Sequence, residues 1–131
     1  MSVTPFLFAL ELVAGSDFEW SNVFADQAGD LITGTDGWSA ACTVRSEYGT
    51  EPLLEFTPTG AATAQFVGDD TELLVLTAPA AVTAVLPATI RSDGTPARPF
   101  VADLVFTRAD PAERVHVCDF VVTIAREATA S

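Results

Sequence analysis

The stretch WSAACTVR, residues 38–45, has the clearest two-residue periodicity in the chain. Trp38, Ala40, Cys42 and Val44 recur at every second position, and smaller or more polar residues lie between them. Successive side chains of a β-strand point to opposite faces, so these four would share one face. The stretch therefore predicts a half-buried strand.

The same alternation recurs on both sides of this strand. Upstream, Phe18, Trp20, Asn22 and Phe24 alternate with other residues, which predicts a second strand. Further strands are predicted at Leu53–Phe56, Thr63–Val67, Glu72–Leu76, Phe100–Thr107 and His116–Ile124. Turns are expected at Asp26–Asp30, Gly34–Gly37, Pro58–Gly60, Gly68–Asp70 and Ala109–Pro111. One face of the last strand is expected to carry His116, Cys118, Phe120, Val122 and Ile124.

The run from Thr77 to Leu86 has a different character. It is rich in alanine, a strong helix former, and Pro79 suits the first turn of a helix. Thr77 could cap the helix, and Pro87 would stop it. We therefore expect one short helix or helical turn in this run.

Short strands separated by turn signals, with one helical turn, are typical of a β-sandwich. A chain of 131 residues without an internal repeat or linker normally forms one domain. We therefore expect an all-β protein with a single sandwich domain spanning residues 1–131. The segment from Arg91 to Pro99 is expected to form an exposed loop, and residues 128–131 a short polar tail.

The chain carries 18 acidic and 6 basic residues, a formal net charge of −12. Its hydrophobic content of 49% is too high for a disordered acidic tail. Proteins that bind nucleic acid or anionic membranes need clustered Lys and Arg, so the composition argues against both partners. All six basic residues are arginine, a bias that a GC-rich genome would also produce.

The N-terminal run Phe6–Leu10 is apolar but lacks the basic residues of a signal sequence, and Glu11 interrupts it. No apolar stretch approaches the ~20 residues that a membrane-spanning helix requires. We therefore expect a soluble protein made in a cytoplasm.

Cys42 and Cys118 lie too far apart in sequence for a zinc or redox motif. In a cytoplasmic protein each is expected to act as a small buried apolar residue. A disulfide between them is kept as an alternative, because both could sit on inward strand faces.

His116 is the single histidine, so any Ser-His-Asp or Cys-His site would need it, and no nucleophile-elbow motif accompanies it. His116 and Cys118 could place two metal ligands on one strand face, with Cys42 as a third. A zinc site normally has four ligands, so core packing is the preferred interpretation. We expect no catalytic residue, no metal and no cofactor.

A turn at residues 68–72 groups Asp69, Asp70 and Glu72. Their spacing differs from that of an EF-hand loop, so a solvated turn is preferred over a calcium site. Whether these carboxylates hold a cation is left open.

Large aromatic side chains provide the best candidates for anchors of the core or of a subunit interface, because they bury much apolar area. The candidates are Phe18, Trp20, Trp38, Phe100, Phe106 and Phe120.

The order of these features resembles a known family. GSDFEW at residues 15–20 precedes an Asp/Gly turn and the strand that ends in Arg45. TAPAAVTAVLP at residues 77–87 and FVADLVF at residues 100–106 follow, and a strand rich in Val and Thr closes the chain. This arrangement resembles the immunoglobulin-like N-terminal domain of the tailed-phage baseplate upper protein family and related small phage structural proteins. Asp119 stands where that family has a glycine.

The resemblance implies an immunoglobulin-like sandwich that is a non-enzymatic virion component of the tail, baseplate or head–tail region. Its partners would be other phage structural proteins and further copies of itself, with no direct contact to nucleic acid or membrane. It would be made in the host cytoplasm and would reside in the virion. Two alternatives remain: a capsid decoration protein, and a carbohydrate-binding module with an exposed Trp20 or Trp38. Position in the particle, copy number and symmetry stay open.

Overall fold

The computed structural model describes residues 1, 3, 6–89 and 98–126, with only the backbone of Phe6 and Arg126. Most of the loop predicted at 91–99 and the tail predicted at 128–131 lie outside these residues. The described elements are β1 (Phe6–Ala14), β2 (Phe18–Asn22), β3 (Trp38–Arg45), β4 (Pro52–Thr57), β5 (Ala62–Val67), β6 (Leu73–Ala78), α1 (Ala80–Thr83), β7 (Phe100–Ala109) and β8 (Ala112–Arg126).

The eight strands follow one another in space as β1-β8-β7-β3-β4-β5-β6-β2. Strands β1, β8, β7, β3 and β4 form one layer, and β5, β6 and β2 form the other. A two-residue parallel pairing of β4 with β5 joins the layers, which gives a nearly closed, mixed sheet. The first strand also runs parallel to the last, and the five remaining pairings are antiparallel. This order is that of an immunoglobulin-type sandwich, so the predicted all-β fold is confirmed.

The inward faces of both layers supply the core. Phe56, Phe106 and Phe120 are fully buried. Phe106 meets Phe24 edge-on at a ring-centroid distance of 5.6 Å, and Phe66 at 5.0 Å. The alternation predicted for residues 38–45 is confirmed, because Ala40, Cys42 and Val44 are buried at every second position of β3. Among the described residues, no helix has the length and hydrophobicity that crossing a membrane would require.

The helical segment is shorter than predicted and begins later. Thr77 belongs to β6, where it pairs with Glu19 on one side and Thr63 on the other, so it does not cap the helix. The backbone of Thr77 is committed to sheet pairing, so the helix begins only at Ala80. The N–H of Ala80 instead donates to the Asp17 carboxylate at 2.8 Å, so the β1–β2 turn satisfies a donor of the first helical turn.

A β-bulge in β8 corrects the face predicted for the last strand. Leu104 of β7 lies opposite Cys118, but the next residue, Val105, lies opposite His116, and Val117 has no direct counterpart. Val117 and Cys118 are therefore both buried while His116 is exposed. The prediction that His116 and Cys118 share one face was wrong.

A candidate interaction surface on the outer face

The two cysteines are free, buried and unable to pair. Each is aligned with Leu104 of β7, Cys42 from β3 and Cys118 from β8. Two strand spacings separate their backbones by about 10 Å, whereas a disulfide needs Cα atoms within about 7 Å. Burial raises the pKa of Cys118 to about 12. Burial, and secondarily the Cys118 charge, raises the pKa of Cys42 above its usual range. Both therefore serve as protonated apolar core residues.

Two aspartates face each other on the outer face of β7 and β8. Asp103 and Asp119 are register partners, and like charges in such positions repel. Arg45 Nη1 lies 3.5 Å from the Asp103 carboxylate, and His116 Nε2 lies 3.0 Å from that of Asp119. Tyr48, in the β3–β4 turn, lies close enough to Asp119 for that carboxylate to raise the pKa of the tyrosine. We call these five residues the outer-face polar cluster.

The chemistry open to this cluster is limited by its position. His116 is exposed on a strand face, and none of the residues that line the described clefts belongs to the cluster. Across the described ranges, no group of three or more His, Cys, Asp or Glu residues is placed to hold a metal ion. The arrangement can form hydrogen bonds and ion pairs with a surface laid against it.

Tyr48 allows the cluster to be tested directly, since it is the single tyrosine of the chain. Partial burial, then the charge of Asp119 and a hydrogen bond to it, raise the pKa of Tyr48. We expect tyrosinate absorbance at 295 nm to titrate above pH 10, near which free tyrosine titrates. Asp119→Asn should lower the midpoint clearly, and Asp103→Asn should lower it less. An unchanged midpoint in Asp119→Asn would contradict the contact.

The raised pKa of Tyr48 also determines how the stability of the fold changes with pH. Because the pKa of Tyr48 is higher in the folded state than in the unfolded state, the protonated side chain favours folding below about pH 10. That contribution is lost as the pH rises through the folded-state pKa. Alkaline unfolding should therefore depend less on this residue in Asp119→Asn than in the parent chain.

An apolar strip borders the outer-face polar cluster along β1. Leu7 is the register partner of Asp119 and is 72% exposed. Ala9 lies beside Val121, which is 37% exposed, and Val121 lies beside Val101. The outward side of β1 and the adjoining part of β8 thus combine exposed aliphatic groups into one continuous surface.

An open groove lies on the other side of β1. It has a volume of about 370 Å³ and is lined by Phe8, Phe24 and Leu31, among others. Leu31 is 50% exposed, and the neighbouring Val23 is also exposed. Phe8 itself packs against the core through Trp20, at a ring-centroid distance of 5.5 Å. Apolar surface therefore flanks β1 on both sides.

The acidic turn at residues 68–72 is held by its own backbone and by the preceding loop. The N–H of Asp70 donates to the Glu72 carboxylate at 3.0 Å, and that of Gly34 donates to the Asp70 carbonyl at 2.7 Å. A Cβ on Gly68 would lie 2.5 Å from a Glu72 carboxylate oxygen, so the Glu72 side chain folds closely over the turn. These contacts give the Glu72 carboxylate a structural role.

The aromatic anchors predicted from sequence fall into two groups. Phe18, Phe106 and Phe120 are buried, whereas Trp20, Trp38 and Phe100 are partly buried and pack against the margin of the core.

Both tryptophans are engaged by neighbouring side chains. Trp20 meets Phe120 edge-on at 5.3 Å, and the Arg108 guanidinium lies 4.7 Å from the ring centre of Trp38. Arg108 is itself held by Glu113 at 3.1 Å. Trp20 therefore packs at the margin of the core, and one face of the Trp38 ring is stacked by a cation.

No sequence motif marked Leu7, Val121 or Tyr48 as a surface residue of interest. Leu7 lies in an apolar run where inward and outward positions look alike, and Tyr48 lies in a turn without a motif. A count of apolar residues on outward positions would have found Val121 on the predicted last strand, but Leu7 only after β1 had been recognised as a strand.

Comparison of the sequence with models of known protein families gave no match, and comparison with curated proteins gave none either.

Proposed function

We propose that this protein is a non-enzymatic structural subunit of a bacteriophage particle, assembled through protein–protein contacts in the tail, baseplate or head–tail region. The observation that carries the proposal is the apolar surface flanking β1. Natural sheet proteins usually protect a long edge strand with charges, prolines or a covering loop. An edge that is instead lined by exposed aliphatic side chains suits a subunit that is covered by neighbours.

The distribution of charge supports the same role. Of the 18 acidic residues, Glu11 alone lies on β1. The other acids of the described residues lie outside β1 and would keep the free subunit soluble. They would also repel a neighbouring copy unless that copy approached along the nearly uncharged edge. A subunit that is first free in solution and then assembled in a particle needs both an acidic, soluble surface and one weakly charged edge for association.

The order of sequence features that resembles the phage baseplate domain supports a virion setting for this assembly. A capsid decoration protein would use the same surface on a different lattice, and copy number separates the two: hundreds per particle favour the capsid, and tens or fewer favour the tail. A carbohydrate-binding role is less well supported, because Trp20 and Trp38 are both packed against other side chains.

Mass spectrometry of purified particles tests the proposal. We expect peptides of this chain at a constant ratio to the major tail or capsid protein through successive purification steps. Particles made without the chain should be defective in assembly and should be restored by supplying it. Its absence from intact, infectious particles would contradict the proposed function.

A further inference from the structure

The two outer edges of the nearly closed sheet are unequally protected. Strand β2 is short, with five residues, and it carries Glu19, two positions after Asp17. Strand β1 has nine residues, about 30 Å of backbone, and Glu11 is its single charge. In the described part of the chain, β1 has a paired strand on one side only. Of these two edges, β1 is therefore the long, weakly charged one that suits pairing with another strand.

Exposed apolar groups concentrate around this edge. Five of the nine large hydrophobic side chains that are exposed in the described residues lie on β1, on its neighbour β8 or beside the groove. They are Leu7, Val13, Val23, Leu31 and Val121. Such concentration on one side of a soluble sandwich marks an interface more readily than scattered exposure would.

We propose that β1 pairs antiparallel with β1 of a second copy of this chain, which extends the five-stranded layer across a two-fold axis. The proposal deepens the assembly role proposed above and rests on it for its biological use. The low charge of β1 favours a second copy of this chain over a basic partner. A basic partner would gain little from an edge that carries one carboxylate, whereas a second copy brings an edge of equal length and equal apolarity.

The sequence of β1 is self-complementary in this arrangement. With the axis near Leu10, Leu7 lies opposite Val13 of the second copy, and Ala9 lies opposite Glu11 of the second copy. The two most exposed aliphatic side chains of the outward face thus meet each other. The two Glu11 side chains are not direct partners but lie diagonally across the axis on the outward face, where solvent and salt screen their repulsion.

Sedimentation velocity of the isolated full chain, from micromolar to submillimolar concentration, tests the pairing. We expect a monomer–dimer equilibrium that high salt strengthens, because salt screens the net charge of −12 on each copy. A basic partner would show the opposite salt dependence. Amide exchange at residues 7–13 should slow as concentration rises, with no change at residues 18–22.

Three lysine variants locate the interface. Leu7→Lys should weaken the dimer at least about tenfold, because it places a charge opposite Val13. Ala9→Lys should dimerise like the parent chain, since its ammonium faces Glu11 of the second copy. Ser21→Lys, on the exposed face of β2, is the matched control and should change nothing. All three positions are exposed, so circular dichroism should show folded proteins.

Two results would overturn the pairing: a monomer at every concentration and salt, or a dimer that Leu7→Lys leaves intact. These outcomes are separable from failure of the proposed function. A dimer formed by a chain that is absent from particles would reject the virion role and leave the pairing standing. A chain that is present in particles but monomeric in solution, with Leu7→Lys incorporated normally, would reject the pairing alone.

Discussion

Phe106→Ala should lower the free energy of unfolding by about 3–5 kcal/mol. The side chain is fully buried in β7, and its ring contacts Phe24 and Phe66 edge-on. Truncation removes both aromatic contacts and leaves a cavity between the two layers, where the neighbouring strands are tied by backbone hydrogen bonds and cannot easily collapse. Urea unfolding followed by tryptophan fluorescence would measure the loss.

Phe100→Ala is the matched control on the same strand. Phe100 is only partly buried at the margin of the core, so its truncation should cost about half as much or less. Equal losses at the two positions would mean that Phe106 is not the better buried anchor. An insoluble Phe106→Ala could be replaced by Phe106→Leu, which keeps most of the apolar volume and should show a smaller loss of the same sign.

Local sequence patterns were sufficient to predict a strand and its buried face where the strand has one polar face and a clear turn before it. Residues 38–45 satisfy both conditions, and β3 was predicted with its inward face. Strand β1 was not predicted, because Leu7, Ala9 and Val13 on its outer side are as apolar as Leu10 and Leu12 on its inner side. Alternation is invisible when both faces are apolar. Its partner β8 lies more than a hundred residues away in sequence, so no local pattern could supply it.

The outer-face polar cluster was unpredictable for a different reason. The β7–β8 turn pairs Ala109 with Ala112, and without a bulge this register would place Asp103 opposite Cys118. The additional residue Val117 shifts the later pairs by one position, so that Asp103 meets Asp119 and Cys118 turns inward. The neighbouring buried residues Val117 and Cys118 look like ordinary alternation in sequence. Only the packing of both layers determines that Val117, and not Cys118, is the additional residue of the bulge.

The bulge in β8 positions both the outer-face polar cluster and the residues that border β1. Asp119 follows the bulge and is the register partner of Leu7, so the same shift in β8 sets which residue borders the apolar strip. A polar cluster beside an exposed aliphatic strip has the composition of an interface with an apolar centre and a polar rim. Substitutions in β8 that remove the bulge should therefore disturb both surfaces together.

Thr83→Val should lower the free energy of unfolding by about 2 kcal/mol, although valine has nearly the same shape and is more apolar. Thr83 is fully buried in α1. Its hydroxyl accepts the Gly15 N–H at 3.1 Å and donates to the Ser16 carbonyl at 2.7 Å, which fastens the end of β1 to the helix. Valine offers no acceptor, so the Gly15 N–H would lose this partner at a partly buried position.

Thr83→Ser distinguishes the contribution of the hydroxyl to the free energy of unfolding from that of the methyl group. Serine retains both hydrogen bonds and loses one buried methyl, so we expect a loss of about 1 kcal/mol or less. Chemical unfolding ranks the variants, and amide exchange at Gly15 should accelerate in Thr83→Val and stay slow in Thr83→Ser. If valine proved as stable as threonine, the hydroxyl would not be what holds this junction. Because Gly15 directly follows β1, Thr83→Val should also loosen the C-terminal end of the edge proposed to pair between copies, whereas Thr83→Ser should preserve it.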